Sequence, residues 1–209
     1  MKTKKIQTAY HEAGHCIVAA MFLDLLNLKA LTINITEIKK INPNWRGGLN
    51  FEAKSAPSPT DYNFGDKILL IALAGICSKT VYLKGASYVN DNLSNFKSDS
   101  KLLSAEGAID DYEMAQLYIN PISQAFRIKT SYVQWSAFRF VFEFLLIPEV
   151  WSAVVYIAEE LIKHDNETLL KDEILELLTD IGFVEYFTNN KSAILNKRYP
   201  LRKETLIKT

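Results

Sequence analysis

At 209 residues, 48% hydrophobic and 23% charged, the chain is long enough to bury a sizeable core and has an ordinary globular composition. Lysine plus arginine and aspartate plus glutamate both number 24, so the zero formal net charge shows none of the basic excess of a nucleic-acid binder. The two cysteines, Cys16 and Cys77, lie in apolar helical runs; they read as small core residues rather than a disulfide pair, and fit a reducing compartment.

The N-terminus is basic (Lys2, Lys4, Lys5), but the stretch that follows carries His11, Glu12 and His15 and is no signal-peptide hydrophobic region. The first predicted element is a helix from about Lys5 to Asp24. Within it stands His11-Glu12-Ala13-Gly14-His15, which holds two of the three histidines in the chain. On a helix His11 and His15 are one turn apart on the same face, so both imidazoles can reach one metal ion. Glu12 projects beside them, where a bound water would lie. Zinc held by imidazoles and a carboxylate lowers the pKa of its water to roughly 7, and a nearby carboxylate can take the proton. H-E-x-x-H on a helix is the signature of a zinc-dependent hydrolase. The bland alternative, a chance pattern in a core helix, is weakened by the apolar flanks, because a buried His-Glu-His set needs partners to offset desolvation. Gly14 in a helix interior costs about 1 kcal/mol relative to alanine, which points to close approach of another backbone or a ligand.

Leu31-Thr32-Ile33-Asn34-Ile35 alternates apolar and polar and predicts a half-buried strand. Asn42-Pro43-Asn44 predicts a turn. Gly47-Gly48-Leu49-Asn50-Phe51 predicts a second strand, with glycines that favour an edge. Ala56-Pro57-Ser58-Pro59 predicts a loop, after which Thr60 or Asp61 caps a strongly apolar, protein-surrounded helix from about Asp61 to Leu83. Gly85 to Ser98 reads as a polar loop. Helices follow at about 100–119, 121–146, 148–164 and 168–181, with Pro121 and Pro148 as first-turn residues. The apolar stretch Val133 to Ile157 is interrupted by Arg139, Glu143, Pro148 and Glu149, so it lacks the roughly 20 apolar residues of a membrane span and reads as two buried helices. The aromatic set Tyr132, Trp135, Phe138, Phe140, Phe142, Phe144 and Trp151 reads as core and helix-packing surface. His164 reads as a surface residue at a helix C-terminus. After Gly182 a short packed segment and a frayed end are expected. The fold class expected is mainly α (α+β), a helical zinc-metallopeptidase domain with a small two-stranded β element after the zinc helix.

The string Ala9-Tyr10-His11-Glu12-Ala13-Gly14-His15 followed by Cys16-Ile17-Val18-Ala19 closely resembles the zinc helix of the FtsH-like family of ATP-dependent membrane metalloproteases. Ala74-Gly75-Ile76-Cys77-Ser78-Lys79 through Gly85 is similar to the family's long helix, except that Gly75 stands alone and Ser78-Lys79 replaces the usual Ala-Glu. Gly107-Ala108-Ile109-Asp110-Asp111-Tyr112-Glu113-Met114-Ala115 resembles the family segment that carries the third zinc ligand. Ala158-Glu159-Glu160-Leu161 through Leu178 is similar to its closing helical pair. The resemblance covers about residues 5–180 in order; it implies a single peptidase-like domain over 1–209, with 182–209 as a C-terminal extension.

The resemblance implies that His11, His15 and Asp111 hold Zn2+ and that Glu12 is the catalytic base. Asp111 is preferred over Asp110 by its position in the segment, and Glu106 and Glu113 do not match that position. Arg46-Gly47-Gly48-Leu49 has two readings: an edge strand that pairs an extended peptide by strand addition, or an ordinary hairpin edge. The resemblance favours the first, with Gly47, Gly48 and Leu49 binding substrate. No G-x-x-x-x-G-K-[ST] loop occurs in the sequence, so the expected activity is hydrolysis of unfolded or short peptide substrates without an ATPase of its own. The rival expectation is a peptidase-like binding or regulatory module, weak or inactive in catalysis. The expected setting is cytoplasmic, with no nucleic acid and no membrane span. Because the related domains assemble as rings, a homo-oligomer and a separate ATPase partner both stay open.

Overall fold

Apolar residues of the first helix, α1 (Lys2–Ala20), lie on most of its circumference from Ala9 onward, and the helix is buried there accordingly. A computed structural model describes residues 2–34, 48–55, 61–93 and 109–197. The expected turn at 42–44 and loop at 56–59 lie outside them, as do Arg46, Gly47, Glu106 and Gly107.

The helix stops at Ala20, four residues before the expected end, and a turn over 21–25 leads into strand β1 (Leu26–Thr32). The strand therefore starts earlier than expected from Leu31-Thr32-Ile33. Its period-two signal lies in Leu26, Leu28 and Ala30, which point inward, while Lys29 is exposed. Strand β2 (Leu49–Ala53) pairs with it antiparallel, with a bulge where Lys29 has no partner between Leu28 and Ala30.

The longest helix, α2 (Tyr62–Lys84), begins at Asp61, whose side chain accepts the Phe64 amide at 3.0 Å, and ends at Gly85, φ 86°. It is buried on every side over 68–78 because it is the central element, packed on α1 and on two later helices, α4 (Ile109–Phe126) and α5 (Thr130–Leu145). Fully burying a side chain such as Ile17 or Leu69 contributes roughly 1.5–3 kcal/mol, and the α1–α2 seam is built of such residues. The helices cross closely at Gly14, where an added Cβ would overlap the Ser78 side chain and come within 2.7 Å of the Ala74 carbonyl oxygen.

Four expectations need correction. Part of the expected polar loop is a short helix, α3 (Ala86–Asn92), because Val89 gives it one buried anchor. Pro121 does not open a helix: α4 runs through it, held by Ile119 and Ile122 buried on either side, and breaks instead at Arg127, φ 54°. The helix expected over 168–181 starts later. Residues Thr168–Leu170 form strand β3, paired with β1, so the sheet has three strands in the order β2-β1-β3 rather than two. Helix α7 (Lys171–Asp180) follows, with Glu173 reaching back to the Leu170 amide at 2.7 Å. The tail is longer than a short packed segment: α8 (Phe183–Lys197) buries Phe183, Phe187 and Ile194.

Between these, α6 (Pro148–Lys163) carries Pro148 in its first turn as expected and packs on α1. The fold is mainly α with a small antiparallel sheet. Cys16 and Cys77 are free and buried, and burial pushes the Cys16 thiol up to about 12. His164 caps α6, with Nε2 3.3 Å from Glu173 Oε1. Among the described residues no single helix is long and apolar enough to cross a membrane.

Candidate metal centre

Helix α1 presents His11, Glu12 and His15 to the interior, each less than a tenth exposed. The segment is held from two sides. Tyr10 stacks on Tyr82 of α2, ring centroids 4.1 Å apart, and on Trp151 of α6 at 5.9 Å. The Ser78 hydroxyl donates to the Tyr10 carbonyl at 2.6 Å, which ties α2 to the turn just before the first histidine.

The first turn of α4 brings in Asp111. Its Oδ2 lies 2.8 Å from His11 Nε2 and 3.3 Å from His15 Nε2, and the two Nε2 atoms are 3.1 Å apart. The three ligand-type atoms all lie within 4.8 Å of one another, the only such grouping of His, Cys, Asp or Glu found among the described residues. Glu113 is exposed and outside the group; the side chain of Asp110 lies outside the described residues.

Three observations fit a divalent ion. First, His15 Nδ1 is 2.6 Å from the Ile71 carbonyl oxygen, so Nδ1 carries a proton and donates it there. In the neutral ring Nε2 then offers its lone pair to the cluster, the arrangement of a ligating imidazole with its outer partner in place. Second, Asp111 Oδ2 is buried yet accepts no well-directed hydrogen bond. Third, the wall behind the imidazoles is Gly75 of α2. A Cβ added there would overlap His15 Nε2 and lie 2.6 Å from His11 Nε2, filling the space an ion would need. Zinc–imidazole distances of about 2.0–2.1 Å suit two Nε2 atoms 3.1 Å apart.

Without a metal the cluster holds its charge through protons. Burial alone would lower the His15 pKa, but the Asp111 carboxylate, with Glu12 and the Ile71 carbonyl, outweighs it and pushes the pKa up to about 9. Asp111 shows the converse: burial would raise it, while the two imidazoles beside it hold it below the usual carboxylate range. Glu12 sits higher than an ordinary glutamate because desolvation is its largest influence, opposed by His11, His15 and the Gly48 amide.

Glu12 Oε1 is 4.0 Å from His11 Nε2, and Oε2 accepts the Gly48 amide at 3.0 Å. That contact alters the expected part of the glycine pair. Gly48 gives its N–H to Glu12 while its carbonyl accepts the Thr32 amide, 2.8 Å away, so its N–H is not available to a peptide strand. Leu49 faces Leu31 as a non-hydrogen-bonded pair, which turns its own N–H and C=O away from β1 toward the outer edge of β2.

Sequence reading passed over Ile71 and gave Gly75 no role in the site. A backbone carbonyl in an apolar run leaves no trace in the sequence. A glycine inside such a run is the one signal available, because it costs about 1 kcal/mol and needs a reason. Compared with protein-family models, with curated proteins and with solved structures, the chain gives no match.

Proposed function

We propose that the protein is a zinc-dependent metallopeptidase, similar in its centre to the FtsH-like family, that hydrolyses peptide bonds in unfolded or short peptide substrates. The observation that carries this reading is the meeting of His11, His15 and Asp111 from two separate helices, with Glu12 beside them and Gly75 leaving the space between. His11, His15 and Asp111 would hold the ion. Bound zinc supplies an acidified water and a positive charge at the scissile carbonyl.

The chain's own residues do the rest. Glu12 takes a proton from the attacking water at Oε1 and delivers it to the departing amine nitrogen. The buried wall of α1 and α2 excludes bulk water from that transfer. The outer edge of β2, through the N–H and C=O of Leu49, offers an extended peptide a strand to pair with. Such pairing requires an unfolded segment, in keeping with the absence of a phosphate-binding loop from the sequence. The proposed setting is cytoplasmic.

The test is metal content and hydrolysis together. Protein purified without added metal should carry about one zinc per chain, and should cleave unfolded casein. Glu12→Gln should retain the zinc and lose cleavage by 10²-fold or more, the usual contribution of a general base. No transition metal, and none taken up on reconstitution, would overturn the reading. Zinc bound with no cleavage under any condition would favour a peptidase-like binding module.

A further inference from the structure

Among the described residues Glu12 accepts a hydrogen bond at Oε2, and from an unusual partner. The β1–β2 register runs to Leu31 opposite Leu49 and stops there. One residue further, regular pairing would send the Gly48 amide to the Thr32 carbonyl. Instead it donates to Glu12 Oε2 at 3.0 Å. The Gly48 carbonyl still accepts the Thr32 amide at 2.8 Å, so the residue stays joined to the sheet while its donor serves the helix. The fit is tight as well: a Cβ at position 48 would overlap both the Glu12 carboxylate and the Thr32 carbonyl oxygen. Gly48 and Glu12 are both buried, so no water competes for the contact.

We infer that Gly48 is a positioning residue for Glu12: its amide pins Oε2 to the start of β2 and leaves Oε1 turned toward the histidines. The inference rests on Glu12 being the base of the proposed reaction. A free glutamate side chain samples several rotamers, and holding one of them ready keeps the base in reach of its proton. The anchor also sits next to Leu49, whose backbone groups face the strand's outer edge. The same strand thus orients the base and offers the edge to which a peptide would pair.

Amide hydrogen exchange on the zinc-loaded, ¹⁵N-labelled full chain tests the contact directly. The Gly48 amide should be protected in the wild type and exchange at least tenfold faster in Glu12→Ala, while the Thr32 amide keeps its protection and reports that the strand is intact. Equal exchange at Gly48 in both proteins would overturn the inference. A second variant tests its consequence. Gly48→Ala should lower kcat at least tenfold, more than it changes KM, with zinc content unchanged, because the added methyl overlaps the Glu12 carboxylate and the Thr32 carbonyl oxygen and touches no metal ligand. Wild-type turnover in that variant would equally overturn it. If the wild type binds zinc and cleaves nothing, the peptidase reading fails, and the exchange comparison still decides whether Gly48 holds Glu12.

Discussion

Asp111 owes its place beside the imidazoles to helix geometry. Adjacent residues on a helix point about 100° apart, so Asp110 and Asp111 cannot both face the same ion. Asp111 faces the imidazoles, with Oδ2 2.8 Å from His11 Nε2. Asp111→Asn should therefore weaken zinc affinity more than tenfold in isothermal titration, while Asp110→Asn changes it less than threefold. Equal losses would mean that the ligand is wrongly placed. At this scale the sequence was informative where chemistry is carried by side chains. The spacing of His11 and His15 put them on one face of a helix, and the resemblance of residues 107–115 pointed to Asp111. It was silent where chemistry is carried by backbone. The Ile71 carbonyl that fixes the His15 tautomer could belong to any residue type, and the Gly48 amide that holds Glu12 is marked only by the lack of a side chain at that position.

Among the elements, α2 does two separable things to the site, and they lie three residues apart. Gly75 leaves room and Ser78 makes a bond. Ser78→Ala deletes a buried hydroxyl and leaves the Tyr10 carbonyl short of one partner, which should cost about 1–3 kcal/mol in denaturant unfolding and leave zinc binding intact. Gly75→Ala should do the reverse: helicity by circular dichroism is kept, because alanine favours helix, while zinc affinity falls at least tenfold. If Gly75→Ala binds zinc like the wild type, the space it leaves is not the ion's. The long helices were legible because their apolar runs are long and continuous. The short elements were not. A three-residue strand such as β3 is specified by its partner β1, through Ala30, Leu31 and Thr32, rather than by its own sequence. Helix α3 depends on one buried valine among polar residues. Pro121 misled because tertiary burial of Ile119 and Ile122 overrides a local breaker.

For the whole molecule, the protons on the centre make stability depend on pH in a way that metal reverses. In the metal-free protein the folded-state pKa of His15 is raised from 6.5 to about 9. A raised pKa means that the folded state holds the proton more tightly, so this contribution is complete below about pH 6.5 and fades as pH rises through 9. Asp111 is depressed, so its contribution is present above its ordinary value of 3.8 and is lost on acidification below that. With chelator present, Tm should therefore fall between pH 6.5 and 9. With zinc, ligation displaces the protons and affinity should rise over the same range. Calorimetry at matched pH values with and without zinc checks both, and parallel curves would refute the linkage. The purified chain should also cleave unfolded but not stably folded substrates, at a rate that ATP leaves unchanged; ATP-stimulated cleavage by the chain alone would contradict this.

The residues proposed to hold the ion come from distant parts of the chain, at positions 11, 15 and 111. An ion bound by all three would close a loop of nearly a hundred residues, as a covalent cross-link would. In the chain-entropy treatment of disulfides, a loop of that length is worth about 4.7 kcal/mol against the unfolded state. A peptide comprising α1 alone has two of the three ligands and neither the Gly75 wall nor the Ile71 carbonyl. Tight metal uptake is thus a reporter of completed tertiary structure: during refolding it should follow the docking of α4 onto α1 and α2, and it should be lost in fragments that stop short of residue 111.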